Sequence, residues 1–373
     1  MHELISDDID TNKSGNLTNV QELREIQHLF PTGIDHAFGY GSGVFTQISS
    51  SIRKDNANDK NSGNLNESTD ESSKELPMLD LIISVNDSNK FHAENLSLHP
   101  HHYSSIMSSA GPDFVSWVQC CNLGAKVYFN PLVSVTTPSN NRDRMIKYGV
   151  VSTSDLVRDL EEWEFLYLAG RMQKPTLSIE KDDQVYEAQQ NFNLKYAMSA
   201  SLLLLSDMND ELENGILSKL PISTIFEQIA RLSYTGDPRM AVGGEDPRKV
   251  EKLVHSPGQI NRFYDLYKNQ FDDLQNMGLL SIASSDKNDL SKITPSSFQV
   301  EFNHNDPSSR KALWERLPRR LRSKREASIL GNAIASIVAP AARGQSVKGV
   351  LTAGITRSIK YAGAKFAKGW NMR

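Results

Sequence analysis

Gly41-Ser42-Gly43 closes a short apolar run, Ile34 to Tyr40, and stands before residues that can open a helix. A strand, a small-residue turn and a helix start make a phosphate-binding device. Glycine lets the backbone approach an anion, and the first helical N–H groups point at it with the positive end of the macrodipole. Ser42 adds a hydroxyl donor, although the same three residues also build plain turns. The next chemistry-bearing residue is Asp80, inside Met78-Leu79-Asp80-Leu81-Ile82-Ile83-Ser84-Val85, a buried-strand pattern. Buried strands rarely hold an Asp without a partner. Asp80 is therefore either a strand-edge residue capping a turn or a metal ligand beside the glycine turn.

The remaining candidates each carry two readings. Lys147 lies in a predicted strand, Arg144 to Ser152, as a phosphate ligand or an exposed edge lysine. Arg171 and Lys174 follow an apolar segment and could clamp a triphosphate or an acidic substrate, or solvate a turn. Asp237 and Arg239 are spaced to pair across their own turn. His101, His102 and Tyr103 suggest a loop near a polar ligand, without the spacing of a metal site.

These residues need elements to hold them. Predicted helices cover Val20 to Phe30, Phe91 to Leu98, Pro112 to Cys121, Ser154 to Trp163, Ala188 to Leu205, Ile222 to Leu232 and Pro257 to Met277. Predicted strands cover Met78 to Val85, Ala125 to Asn130 and Arg144 to Ser152. Residues 1–18 and an insertion at 49–75, rich in Ser, Asn, Asp and Lys, cannot offset their ordering entropy and read as disordered. The domain plan is 19–183, a helical region 184–283, a linker 284–309 and a basic region 310–373. After Glu326 there is no acid, while Arg343, Lys348, Arg357, Lys360, Lys365, Lys368 and Arg373 are basic. Those seven of 41 Lys and Arg leave 34 bases against 45 acids in the rest. A basic tail on an acidic body points to a polyanionic partner. From Ser346 onward, Val347, Leu351, Ile355, Ile359, Ala362, Phe366 and Trp370 form one stripe at about 100° per residue, as an amphipathic helix does. Two adjacent cysteines, Cys120 and Cys121, make no disulfide framework. No run reaches the roughly 18 apolar residues of a spanning helix. The acidic start is unlike a secretory signal or an Arg-rich transit peptide.

A glycine-serine turn followed by an Asp-bearing strand is the plan of the nucleotidyltransferase fold. The turn holds the β- and γ-phosphates of a nucleoside triphosphate, and a strand carboxylate holds Mg²⁺ between phosphates while pyrophosphate leaves. One clear Asp suffices, because Mg²⁺ keeps several waters and needs one or two carboxylates. Gly43 and Asp80 are 37 residues apart, a gap that the insertion fills.

Eight strings then resemble one family. They are Phe38-Gly-Tyr-Gly-Ser-Gly-Val-Phe45, Asp80-Leu-Ile, His102-Tyr-Ser-Ser, Gly124-Ala-Lys-Val-Tyr-Phe-Asn-Pro131, Lys147-Tyr-Gly-Val-Val-Ser152, Tyr167-Leu-Ala-Gly-Arg-Met-Gln-Lys-Pro175, Leu232-Ser-Tyr-Thr-Gly-Asp-Pro-Arg239 and Lys348-Gly-Val-Leu-Thr-Ala-Gly354. The chain resembles the mitochondrial translocator assembly and maintenance family, the mitochondrial phosphatidate cytidylyltransferases. The resemblance implies an α+β architecture: an N-terminal nucleotidyltransferase domain with a mixed sheet, a winged-helix-like second domain and a basic C-terminal helix. It implies CTP and phosphatidic acid as substrates, CDP-diacylglycerol for cardiolipin synthesis as product, and a peripheral position on the matrix side of the inner mitochondrial membrane. It implies Ser42, Asp80 and Lys147 as catalytic, and Tyr40, Gly41, Ser42, Gly43, Lys147, Tyr148, Arg171 and Lys174 as nucleotide-binding. Mg²⁺ falls to Asp80, with Asp155 or Asp237 as a second carboxylate, because Met78 and Ile82 stand where a paired strand carboxylate is usual. Lys360, Phe366, Lys368 and Trp370 face anionic lipid, and nucleic acid is not expected. The rival implication is a non-catalytic assembly factor for mitochondrial protein import that binds nucleotide.

Overall fold

The computed structural model describes residues 20–45, 77–139, 142–179, 184–209, 218–241, 246, 248–284, 294–302, 306–323 and 327–370, without the side chains of 353–370 and of a few residues at element ends. The stretches expected to be disordered, 1–18 and 49–75, lie outside these residues.

The N-terminal lobe is built on β1 (Ile34–Tyr40), β2 (Leu79–Val85), β3 (Tyr128–Thr137), β4 (Arg142–Ser152) and β5 (Thr176–Ser178), in the order β3-β4-β2-β1-β5. The sheet is mixed: β2 and β4 run parallel, and every other pair is antiparallel. A parallel pair needs a long crossover. Helices α2 (Ser88–Leu98), α3 (Ser105–Ala110) and α4 (Pro112–Cys120) supply it together with β3. β2 reads as a near-continuous apolar run because both its faces are covered. Leu79, Leu81, Ile83, Ile146, Tyr148 and Val150 face α1 (20–27) and α2, whereas Phe38, Ile82 and Phe129 face α5 (Thr153–Glu162) and α7 (Gln184–Asn209). The strand expected at Ala125 to Asn130 starts later, at Tyr128, and runs on to Thr137.

The second lobe packs α7, α8 (Ile222–Leu232), α9 (Lys249–His255) and α10 (Gln259–Asn276) around Phe226, Phe263, Tyr267 and Phe271. It is not wholly helical. β6 (Ser218–Pro221), β7 (Leu280–Ser284) and β8 (Phe298–Phe302) form an antiparallel sheet in the order β6-β8-β7. The central strand of that sheet lies inside 284–309, the stretch expected to be a linker. Only Phe298, Val300 and Phe302 alternate there, too short a signal among polar neighbours; Val300 and Phe302 are buried once β6 and β7 flank them.

After α11 (Pro307–Glu315), the chain ends in one long helix, α12 (Ala327–Trp370), which runs through Pro340. The helix expected from Ser346 thus begins earlier. Leu330, Ile334, Ile337, Val338, Ala341 and Ala342 bury one of its faces on the body, and this packing outweighs one missing backbone hydrogen bond. No helix among the described residues is long and apolar enough to cross a membrane.

Candidate active site

Strand register assembles the site. Tyr40, the last residue of β1, stands opposite Asp80 on β2, and Asp80 stands opposite Lys147 on β4. The lysine Nζ lies 3.2 Å from Asp80 Oδ1 and 4.7 Å from the centre of the Phe129 ring. Directly after Tyr40 the chain turns at Gly41, whose φ of +81° is left-handed backbone that favours glycine. A Cβ there would sit 3.8 Å from Asp80 Oδ2, so the second carboxylate oxygen faces the turn. Residues 42–45 then form one helical turn, with Ser42 exposed at its start. Gly43 is required by close approach: a Cβ would fall 2.2 Å from the Met78 carbonyl oxygen. The turn is therefore pinned against the strand that carries Asp80, although the two are far apart in sequence.

The opposite wall comes from α6 (Leu168–Met172) and the residues after it. The Arg171 guanidinium lies between two rings, 4.8 Å from Tyr40 and 4.5 Å from Tyr167, and Nη2 donates to the Tyr167 hydroxyl at 3.0 Å. Two cation–π contacts hold it in place. Arg171 Nε and the Tyr40 hydroxyl are both buried with no hydrogen-bond partner among the described residues. Such groups are costly unless something supplies an acceptor, and an anion in this cleft would. Burial works against the arginine charge, but Tyr40, Tyr167, Tyr234 and Asp80 outweigh it and hold the pKa above its ordinary value. The same burial pushes the Tyr40 phenol up to about 12.

Lys174 donates to the Gly170 carbonyl and, at 2.8 Å, to Ser233 Oγ. Its ammonium sits 5.1 Å from the Tyr234 ring centre, and Lys249 reaches the same ring at 5.2 Å. Burial first, then repulsion from Arg171 and Lys249, drives the Lys174 pKa well below its usual value. Gathering cations in this way costs free energy, which a bound anion would offset. Ser233, Tyr234 and Lys249 belong to the second lobe, so the cleft lies between the lobes. Gly170 permits that approach, since a Cβ would fall 2.2 Å from Ser233 Cβ.

One decisive residue carries no motif. Asp159, buried in α5, accepts from the N–H groups of Phe165, Leu166, Tyr167, Leu168 and Ala169 at 2.8–3.1 Å. It folds the chain into the start of α6 and so aims Tyr167 and Arg171. Burial raises its pKa, against the pull of the Ala169, Phe165, Leu166 and Leu168 N–H groups. In sequence the only signal was an acid on the apolar side of a predicted helix.

The structure brings together Tyr40, Gly41, Ser42, Gly43, Asp80, Lys147, Arg171 and, one turn further on, Lys174. Tyr148 does not join them. Adjacent strand residues face opposite sides, and Tyr148 is fully buried behind the sheet. There its hydroxyl accepts from Asn95 and Asn130 at 2.9 and 2.8 Å and donates to His102 Nδ1 at 3.0 Å. This corrects its expected place among the nucleotide ligands. Asp155 also lies elsewhere, past the far end of β4, where Lys126 Nζ at 3.0 Å and Ser152 Oγ at 2.6 Å hold its oxygens. Asp237 is buried in a bidentate pair with Arg239, Nη2 to Oδ2 2.6 Å, which is the pairing that the spacing allows. Neither supplies a second carboxylate beside Asp80. The side chains of Lys360, Phe366, Lys368 and Trp370 lie outside the described residues; the backbone there is helical. His99, His101 and His102 form the one group of three or more metal-ligating side chains among the described residues. Its His99 and His102 rings stack, 12° apart, so their in-plane lone pairs diverge from any shared ion.

Residues 23–331 and 323–368 match the family described as mitochondrial phosphatidate cytidylyltransferase. The chain belongs to this family. The rat mitochondrial phosphatidate cytidylyltransferase is 33% identical over 93% of this chain and 94% of its own length. The Schizosaccharomyces pombe enzyme is 33% identical over 94% of this chain and 84% of its length. The Saccharomyces cerevisiae enzyme is 31% identical over 93% and 70%.

Proposed function

We propose that this chain is a mitochondrial phosphatidate cytidylyltransferase, which joins CTP and phosphatidic acid into CDP-diacylglycerol and pyrophosphate. The observation that carries this reading is the row Tyr40, Asp80 and Lys147 beside Gly41-Ser42-Gly43, faced by the ring-clamped Arg171, in a chain of that family. In this reading the N-terminal lobe is a nucleotidyltransferase domain. The second lobe, with α8 to α10 and the β6-β8-β7 sheet, is of winged-helix type.

The chemistry follows from the donors present. The triphosphate lies along the glycine turn, where the helix-start N–H groups and the Ser42 hydroxyl turn to its oxygens. Lys147 leaves Asp80 for a phosphate oxygen, and Arg171 offers its unpartnered Nε to another. Asp80, whose Oδ2 faces the turn, would hold Mg²⁺, which would supply charge neutralisation at the phosphate oxygens. A phosphatidate oxygen forms the new bond to the α-phosphorus, and the bond to the bridging oxygen breaks, its electron pair leaving on pyrophosphate. Phosphatidate is already an oxyanion near neutral pH, so no side chain need take its proton. Lys174 and Lys249 suit the acidic headgroup, or the departing pyrophosphate, and positioning with electrostatics supplies the rate.

The substrate stays in a bilayer, so the enzyme works as a peripheral protein. The basic end of α12, with Lys360, Phe366, Lys368 and Trp370, lies on anionic lipid at the matrix side of the inner membrane, and the product feeds cardiolipin. The test is purified chain with Mg²⁺ and labelled CTP, offered phosphatidate, glycerol phosphate or RNA ends. Label in CDP-diacylglycerol alone is expected. Label in RNA, or nucleotide binding without turnover, overturns the reading.

A further inference from the structure

A second apolar surface lies away from the cleft. Helix α4 buries Val115, Val118 and Gln119 and turns Phe114 and Trp117 outward, their rings stacked at 5.6 Å. Trp117 is 63% exposed, against 0% for Trp163 and 8% for Trp314. Beside α4, Ile106 of α3 is 64% exposed, and α3 packs against both α4 and α12. α12 is locked to α4: the buried Lys348 Nζ donates to the Gln119 carbonyl at 2.9 Å, and Gln345 is tied to Ala125 and Val127 on the chain just after α4. On the same stretch of α12, Val347, Val350 and Leu351 are each more than half exposed.

We propose that the face formed by Ile106, Phe114, Trp117, Val347, Val350 and Leu351 seats the N-terminal lobe itself on an anionic phospholipid bilayer. This rests on the functional reading above, which places the substrate in a bilayer, and goes beyond the distal tail by adding a second, rigid contact. Two features select lipid as the occupant. An outward Trp beside Phe on a short helix is the composition of an interfacial anchor, with a ring partly in hydrocarbon and an N–H in the headgroup layer. The apolar residues of α12 run into a segment with Arg357, Lys360, Lys365 and Lys368 and no acid, a charge match to anionic headgroups. Two anchors, one on the distal part of α12 and one fixed to the lobe, set the height and tilt of the cleft above the membrane.

The test uses the full chain and phosphatidylcholine vesicles carrying phosphatidate, without CTP. The double variant Phe114→Ser, Trp117→Ser should bind vesicles roughly tenfold more weakly, as expected for two interfacial aromatics. It should still turn over a water-soluble short-chain phosphatidate at the parent rate. In a Trp370→Phe chain, bromolipid should quench the fluorescence of Trp117. Unchanged vesicle affinity, or no bromolipid quenching, overturns the proposal. So does a wild-type dimer that the double variant dissolves while vesicle binding persists, because the face then belongs to a second copy. A wild-type chain that docks through this face but makes no product from soluble phosphatidate contradicts the functional reading and leaves the docking face standing.

Discussion

The two faces of the five-stranded sheet treat polar residues in opposite ways. On the front, Tyr40, Asp80, Lys147 and Arg171 border the cleft, and buried Arg171 Nε and Tyr40 hydroxyl have no partner among the described residues. On the back, the donors mostly find acceptors, although Asn95 Oδ1 and Asn130 Oδ1 have no partner among the described residues. His92 donates Nε2–H to Gln119 Oε1 at 2.8 Å and accepts from the Tyr103 hydroxyl at 2.9 Å, while Asn95 donates to both Tyr103 and Tyr148. Both regions are aromatic-rich, and both hold family strings. The difference is ligand capacity. A network whose donors find acceptors locks packing, whereas unpaired donors beside a glycine turn bind something else.

The comparison can be broken most easily at Asp80. Asp80→Asn should lower kcat by about 10³ with the melting temperature nearly unchanged; full activity would remove Asp80 from the site. Next comes Asp159→Asn, which cannot accept all five N–H groups. It should destabilise the chain by about 3 kcal/mol and lower activity together, since Arg171 loses its support. Circular-dichroism melts read beside kcat would show whether the two losses travel together. Tyr148→Phe should do the reverse of Asp80→Asn, costing about 1–3 kcal/mol in stability and leaving the KM for CTP unchanged. A raised KM with normal stability would return Tyr148 to the nucleotide site.

Two smaller effects depend on pH. Burial lowers the His92 pKa from 6.5 to about 4, so the unfolded chain binds a proton that the folded chain refuses. Stability supplied by neutral His92 is present above 6.5 and lost as pH falls toward about 4; in the His92→Gln chain that acid loss should shrink, as melting temperatures across this range would show. Lys174 has the same sign at the other end of the scale. Its depressed pKa means that the folded state refuses a proton which the unfolded chain holds up to 10.5, so stability rises with pH through that window. Any stability advantage of Lys174→Met near neutrality should therefore diminish toward pH 10, while its activity stays low throughout. A constant difference between the two melting curves would place Lys174 in ordinary solvent.

Much of the site was legible because its residues carry their own signals. Gly41-Ser42-Gly43 follows a strand, Asp80 interrupts an apolar run, and Lys147 alternates within a strand; β1 and α8 fall at the expected residues. Local pattern decides these features, since glycine freedom, strand alternation and helical period act over a few residues. Tertiary structure decided what depends on register and on distant partners. Parallel pairing of β2 with β4 set Asp80 against Lys147 and, one residue on, turned Tyr148 to the dry face. Asp155 was left beyond the far end of β4. β8 became a strand only between β6 and β7. Asp159 gained its role from a loop that closes back on it, and the exposure of Phe114 and Trp117 follows from which face of α4 packs on the lobe. None of these outcomes could be read from residue order, because each turns on which side of a strand or helix meets another element.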